Sequence, residues 1–151
     1  MKKIIIILTT CFLLATISVS AQEYNNAIGL KFYPTGITFK HFFSEKISLE
    51  GIGYFYKYGT RITALYEINH DIPGVGGLGW YFGPGAHIGF FDAKYGGSTS
   101  FGVDGVLGLD YKIPSAPINL SLDFQPSIEL LNNDLIDRGS WWGGLGIRFT
   151  F

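Results

Sequence analysis

Trp141 to Phe151 reads W-W-G-G-L-G-I-R-F-T-F, and its alternation decides the fold. Leu145, Ile147, Phe149 and Phe151 share one parity; Gly144, Gly146, Arg148 and Thr150 share the other. A period of two belongs to an extended strand with one oily and one polar face. In water such a strand offers an unpaired apolar edge, which invites aggregation. Closing a barrel in lipid removes both problems, because closure pairs the edge and hydrocarbon takes the oily face. Together with the seven segments that follow, this stretch gives the expected fold: all-β, an eight-stranded antiparallel up-and-down transmembrane barrel.

Seven further segments alternate in the same way. Ala27–Tyr33 sets Ile28, Leu30 and Phe32 against Gly29 and Lys31, and Ile37–Phe43 sets Ile37 and Phe39 against Thr38 and Lys40. Ile47–Tyr56 is mixed, with Leu49, Gly51, Gly53 and Phe55 opposed to Glu50, Ile52 and Tyr54. Arg61–Ile68 carries Ile62, Ala64 and Tyr66 on one side and Arg61, Thr63 and Glu67 on the other. Trp80–Phe90, Phe101–Tyr111 and Ile118–Glu129 continue the pattern. Pro84 falls inside the first of these, which predicts an edge or a bulge there. Turn residues separate the segments, notably Pro34-Thr35-Gly36, Ser44-Glu45-Lys46 and Pro114-Ser115-Ala116-Pro117. Longer polar connections are expected over Asn69–Leu78, Asp92–Ser100 and Asn132–Ser140. Segments of this length suit the ~9–11 residues that a tilted strand needs to cross a bilayer.

The start of the chain has a different character. Lys2 and Lys3 precede an apolar run from Ile4 to Val19, and Val19-Ser20-Ala21 resembles a small-residue cleavage site. The expected organisation is a cleavable signal peptide over 1–21 and a barrel domain over 22–151, with secretion as the route. Cys11 lies inside the apolar run without the small residues that precede a lipoprotein cysteine. The chain's single Cys and single Met both fall before Gln22, so thiol catalysis, disulfides and cysteine-bound metal have no place in the barrel. All 21 glycines lie beyond Ala21, a density that suits a crowded barrel interior. Without Lys2 and Lys3, nine basic residues face twelve acidic ones, a net charge of −3, which speaks against nucleic acid as a partner.

The polar parity collects Lys31, Lys40, Arg61 and Arg148, the acids Glu50, Glu67, Asp104, Asp110, Asp123 and Glu129, and His87. The lumen of an eight-stranded barrel is just wide enough for side chains to fill, which leaves no open porin-type channel. Charges placed there need partners, so these eleven residues are expected to form a structural interior network. The oily parity carries Trp80, Phe90, Tyr111, Trp141 and Phe149 near strand ends, where aromatic side chains mark the two interfaces of a membrane. His70-Asp71 is too sparse for a metal site, and Gly83-Pro84-Gly85 lacks the strand-to-helix setting of a phosphate loop. No metal, cofactor or catalytic residue is expected.

In this order, G-I-T-F-K-H-F-F-S-E-K (36–46), L-E-G-I (49–52), L-Y-E (65–67), W-Y-F-G-P-G-A-H-I-G-F-F-D (80–92) and P-I-N-L-S-L-D (117–123) resemble the small outer-membrane β-barrel proteins of Bacteroidetes-type bacteria, akin to the OmpX and OmpA-barrel type. The resemblance implies an outer-membrane location and assigns no activity. It also implies that Phe151, a terminal aromatic on an alternating strand, is the signal read by the barrel-assembly machinery. Some eight-stranded outer-membrane barrels deacylate lipid A with a histidine followed two residues later by serine. His41, His70 and His87 are followed instead by Phe43, Ile72 and Gly89. The expected function is therefore structural, or interaction of a monomer with an extracellular partner through its surface loops, with outer-membrane lipid around it. The alternative is a soluble periplasmic barrel of the lipocalin kind, which uses the same strands inside out around an apolar ligand.

Overall fold

The computed structural model of the chain describes residues 24–95, 97–130 and 140–151. The expected signal peptide over 1–21 and most of the expected Asn132–Ser140 connection lie outside the described residues. Eight antiparallel strands follow in chain order: β1 (Asn26–Phe32), β2 (Gly36–Ser44), β3 (Ile47–Tyr56), β4 (Gly59–Asp71), β5 (Leu78–Phe91), β6 (Thr99–Lys112), β7 (Ile118–Glu129) and β8 (Ser140–Thr150). Each pairs with its sequence neighbours, and β8 returns to β1, giving a closed up-and-down barrel.

Closure runs from Ala27 opposite Thr150 to Phe32 opposite Leu145. Reciprocal bonds extend it, from Asn26 N–H to the Phe151 carbonyl at 3.0 Å and from Phe151 N–H to the Asn26 carbonyl at 2.9 Å. The edge that Trp141–Phe151 would otherwise present is consumed in this way, so the wall has no free edge to aggregate through. Gly143 and Gly144 take positive φ, 117° and 131°, early in this last strand. A side chain would resist that backbone. The alternation then proceeds with Leu145 and Ile147 exposed and Gly146 and Arg148 buried.

Two sequence expectations need correction. The connection predicted over Asn69–Leu78 is shorter, because β4 continues to Asp71 and β5 begins at Leu78. Asn69, His70 and Asp71 pair with Tyr81, Trp80 and Gly79, ladder bonds that a polar, glycine-rich composition does not reveal. Pro84 marks neither an edge nor a bulge. The register with β4 is the same at Leu65–Gly85 as at Ile68–Phe82, and only the pairs between are open, where Pro84 has no N–H to give. The register irregularity lies instead between Phe42 and Ser44 in β2. The 92–98 connection contains a single 3-10 turn, Ala93–Tyr95.

The strands alternate around one boundary. Ile28, Leu30, Ile37, Ile62, Leu107 and Leu122 point outward, each about half exposed, while Lys31, Lys40, Glu50, Glu67 and Arg148 are buried in the lumen. The apolar side chains thus form the outside of the molecule and the charged ones its core. We call the end holding Asn26 and Thr150 proximal and the opposite end distal.

Candidate functional site

The eleven residues expected in the interior lie in the lumen or at its mouths, where the charges divide into two networks. The proximal network is the larger. Lys31 Nζ lies 2.5 Å from Asp123 Oδ2 and 3.4 Å from Glu50 Oε1. Arg148 Nη2 meets the same Glu50 Oε1 at 2.5 Å, the Thr38 hydroxyl also donates to it, and Arg148 Nη1 donates to Asn119 Oδ1 at 3.1 Å. Lys40 Nζ lies 2.8 Å from Glu67 Oε2 and 3.7 Å from Asp110 Oδ2. Ser48 donates to Glu67 Oε2 at 3.0 Å and Asn69 Nδ2 to Ser48 Oγ at 2.8 Å. Ahead of β1, Tyr24 donates to Asp110 at 3.5 Å. Burial, and then the Asp110 carboxylate, push its phenol above the usual range.

The distal network is built on Asp104. Arg61 Nη2 reaches Asp104 Oδ1 at 2.5 Å and Ser127 Oγ at 2.9 Å. His87 sits between two carboxylates, its Nδ1 3.0 Å from Asp104 Oδ2 and its Nε2 2.9 Å from Glu129 Oε1. Its ring has room because residue 102 is glycine: a Cβ there would collide with His87 Cε1 and Nε2. Glu129 is about a quarter exposed, so this network reaches the distal mouth.

An apolar layer separates the two. Ile52, Tyr54, Leu65, Tyr81 and Val106 form one buried cluster, with Trp142 packed against it. Along β4 the inner face reads Arg61, Thr63, Leu65, Glu67, so Leu65 stands between a distal cation and a proximal acid. Val106 separates Asp104 from Asp110 in the same way on β6. The tyrosines are amphipathic: Tyr81 donates to Asp123 of the proximal network at 2.8 Å and Tyr54 to Gln125 at 3.1 Å. On the distal side the Trp142 ring lies 4.2 Å from the Arg61 guanidinium and 5.2 Å from the Tyr54 ring. The alternation of the sequence hides this layer, because Leu65, Ile52 and Val106 are oily residues on the charged parity.

His87, Asp104, Ser127 and Glu129 contain the residue types of acid–base or nucleophilic chemistry. Their geometry spends those groups on one another. Both imidazole nitrogens face carboxylates, and Ser127 Oγ, 3.4 Å from Nδ1, accepts from Arg61. A base must offer a free nitrogen to the nucleophile's proton. Among the described residues no group of three or more His, Cys, Asp or Glu is arranged to hold a metal.

The outer wall has its own order. Trp80 and Tyr111, with Phe149 and Phe151, lie toward the proximal strand ends, whereas Phe90 and Trp141 lie toward the distal ones. Trp80 stacks on His70 at 4.6 Å and on Phe82 at 5.6 Å, and Trp141 packs on Phe124 at 4.8 Å. Between the two ends the outward residues are mainly aliphatic, including Leu107, Leu109, Leu122, Leu145 and Ile147. No protein-family model matches the chain, and no curated protein or solved structure matches it.

Proposed function

We propose that this protein is an integral β-barrel of the bacterial outer membrane whose lumen is plugged by paired charges. The observation that carries the reading is the outward apolar wall, an aliphatic band with aromatic residues toward both strand ends. Exposed apolar surface of this extent is unfavourable in water and favourable in hydrocarbon. A barrel in lipid also needs its first and last strand edges paired, and the β1–β8 closure supplies that. The lipocalin-like alternative needs the oily face inward around a ligand. Here the lumen holds charged and hydrogen-bonded side chains, which favours the membrane form.

On this reading the role is structural, or interaction of a monomer through the connections at the distal end. The β8 strand would be the contact for the assembly machinery. The test is fractionation of the full-length protein expressed in a Gram-negative host. Retention in the outer-membrane pellet after salt and carbonate washing, with heat-modifiable migration, supports the reading; release into the soluble periplasmic fraction contradicts it.

A further inference from the structure

We propose that the proximal network binds one proton, shared between the carboxyl groups of Glu50 and Glu67. In the β3–β4 ladder Glu50 lies opposite Leu65 and Ser48 opposite Glu67, which makes the two glutamates diagonal neighbours on the inner face. Glutamate side chains are long enough to span such a diagonal, which brings the two carboxyl groups within reach of each other inside the lumen. Each commits one oxygen elsewhere: Glu50 Oε1 takes Arg148, Lys31 and Thr38, and Glu67 Oε2 takes Lys40 and Ser48. The remaining oxygens, Glu50 Oε2 and Glu67 Oε1, are buried and receive no donor from the described residues. Ionised carboxylates only accept hydrogen bonds, so two of them cannot satisfy each other. One proton between them makes one oxygen a donor and the other its acceptor.

The charge count agrees. Lys31 on β1, Lys40 on β2 and Arg148 on β8 face four acids: Glu50 on β3, Glu67 on β4, Asp110 on β6 and Asp123 on β7. Tyr81 on β5 and Tyr24 ahead of β1 contribute neutral hydroxyl donors. One bound proton brings three cations and four acids into balance, and an uncompensated buried charge is costly. The inference rests on the closed lumen alone and holds whether the wall meets lipid or water.

The test compares Glu67→Gln with Glu50→Gln in the refolded full chain. In Glu67→Gln the new amide nitrogen replaces the shared proton as donor to Glu50, while the amide oxygen still accepts from Lys40. This substitution therefore leaves the unfolding midpoint unchanged or raises it, whereas Glu50→Gln lowers it by depriving Arg148 and Lys31 of their carboxylate. The parent at neutral pH shows the infrared carbonyl band of a neutral carboxyl group. That band moves on ¹³C-labelling of glutamate, a readout that requires no variant to fold. Equal destabilisation by both substitutions overturns the proposal. A parent without a glutamate-derived band also overturns it, including a parent whose stability depends on sodium, since a cation would then occupy the proton's place.

Discussion

The ring of Tyr81 occupies the space that a side chain at residue 108 would need. A Cβ built on Gly108 would lie 2.6 Å from the Tyr81 hydroxyl oxygen and 2.8 Å from Cε1. The ring cannot easily give way, since Lys40 Nζ sits 4.4 Å from its centroid and its hydroxyl is bonded to Asp123. Gly108→Ala is expected to destabilise the barrel by about 1–3 kcal/mol through overpacking. Gly105→Ala, whose Cβ would first meet Pro126 Cγ at 3.4 Å, is expected to be near neutral. Unfolding midpoints of the two variants check this, and equal midpoints would contradict it.

Arg148→Ala removes one of the two cations on Glu50 and the donor to Asn119. Breaking a buried pair costs about 3–5 kcal/mol when its partner is left charged. The variant is expected to unfold at clearly lower denaturant than the parent. Coincident midpoints would mean that Arg148 does not sustain the lumen.

The apolar layer predicts that the two networks are energetically separate. Arg61→Ala and Lys31→Ala fall on opposite sides of Leu65 and Tyr54, so their effects are expected to add within about 0.5 kcal/mol. Arg61→Ala and Asp104→Ala share an ion pair at 2.5 Å and are expected to be strongly non-additive. A large coupling in the first double-mutant cycle would show that charge is communicated through the layer.

On the outer wall, cost is expected to follow position along the strand. Leu122→Arg, placed in the aliphatic band, is expected to cost about 2–4 kcal/mol in a lipid-refolded barrel, and Phe149→Arg near the proximal end about 0–1 kcal/mol. Equal costs would mean that the wall does not cross a hydrophobic gradient.

Much of this architecture is legible in the chain because strand alternation is itself the geometry of a barrel wall. Lys31 and Leu30 differ by one residue and therefore face opposite sides. Pairing in the lumen is not legible. Lys31 meets Asp123 from 92 positions away, a contact set by how far the closed sheet is sheared. The hydrogen-bonding roles of Tyr54, Tyr81 and Gln125 depend on the same geometry. Asn69 to Asp71 read as loop because their polarity outweighs a ladder that only β5 provides. Ile52, Leu65 and Val106 look like breaks in a pattern until their contacts join them into a layer.

The central claim is that the apolar wall lies in hydrocarbon, and depth-dependent fluorescence quenching tests it most directly. Leu122→Trp in a background with phenylalanine at 80, 141 and 142 is refolded into vesicles whose lipids carry bromine at chosen acyl depths. Quenching strongest for deep bromines, with single-tryptophan variants retaining Trp80 or Trp141 quenched most by shallow ones, is the predicted result. A folded barrel whose residue-122 tryptophan is quenched at no depth would place the wall outside the bilayer and contradict the account.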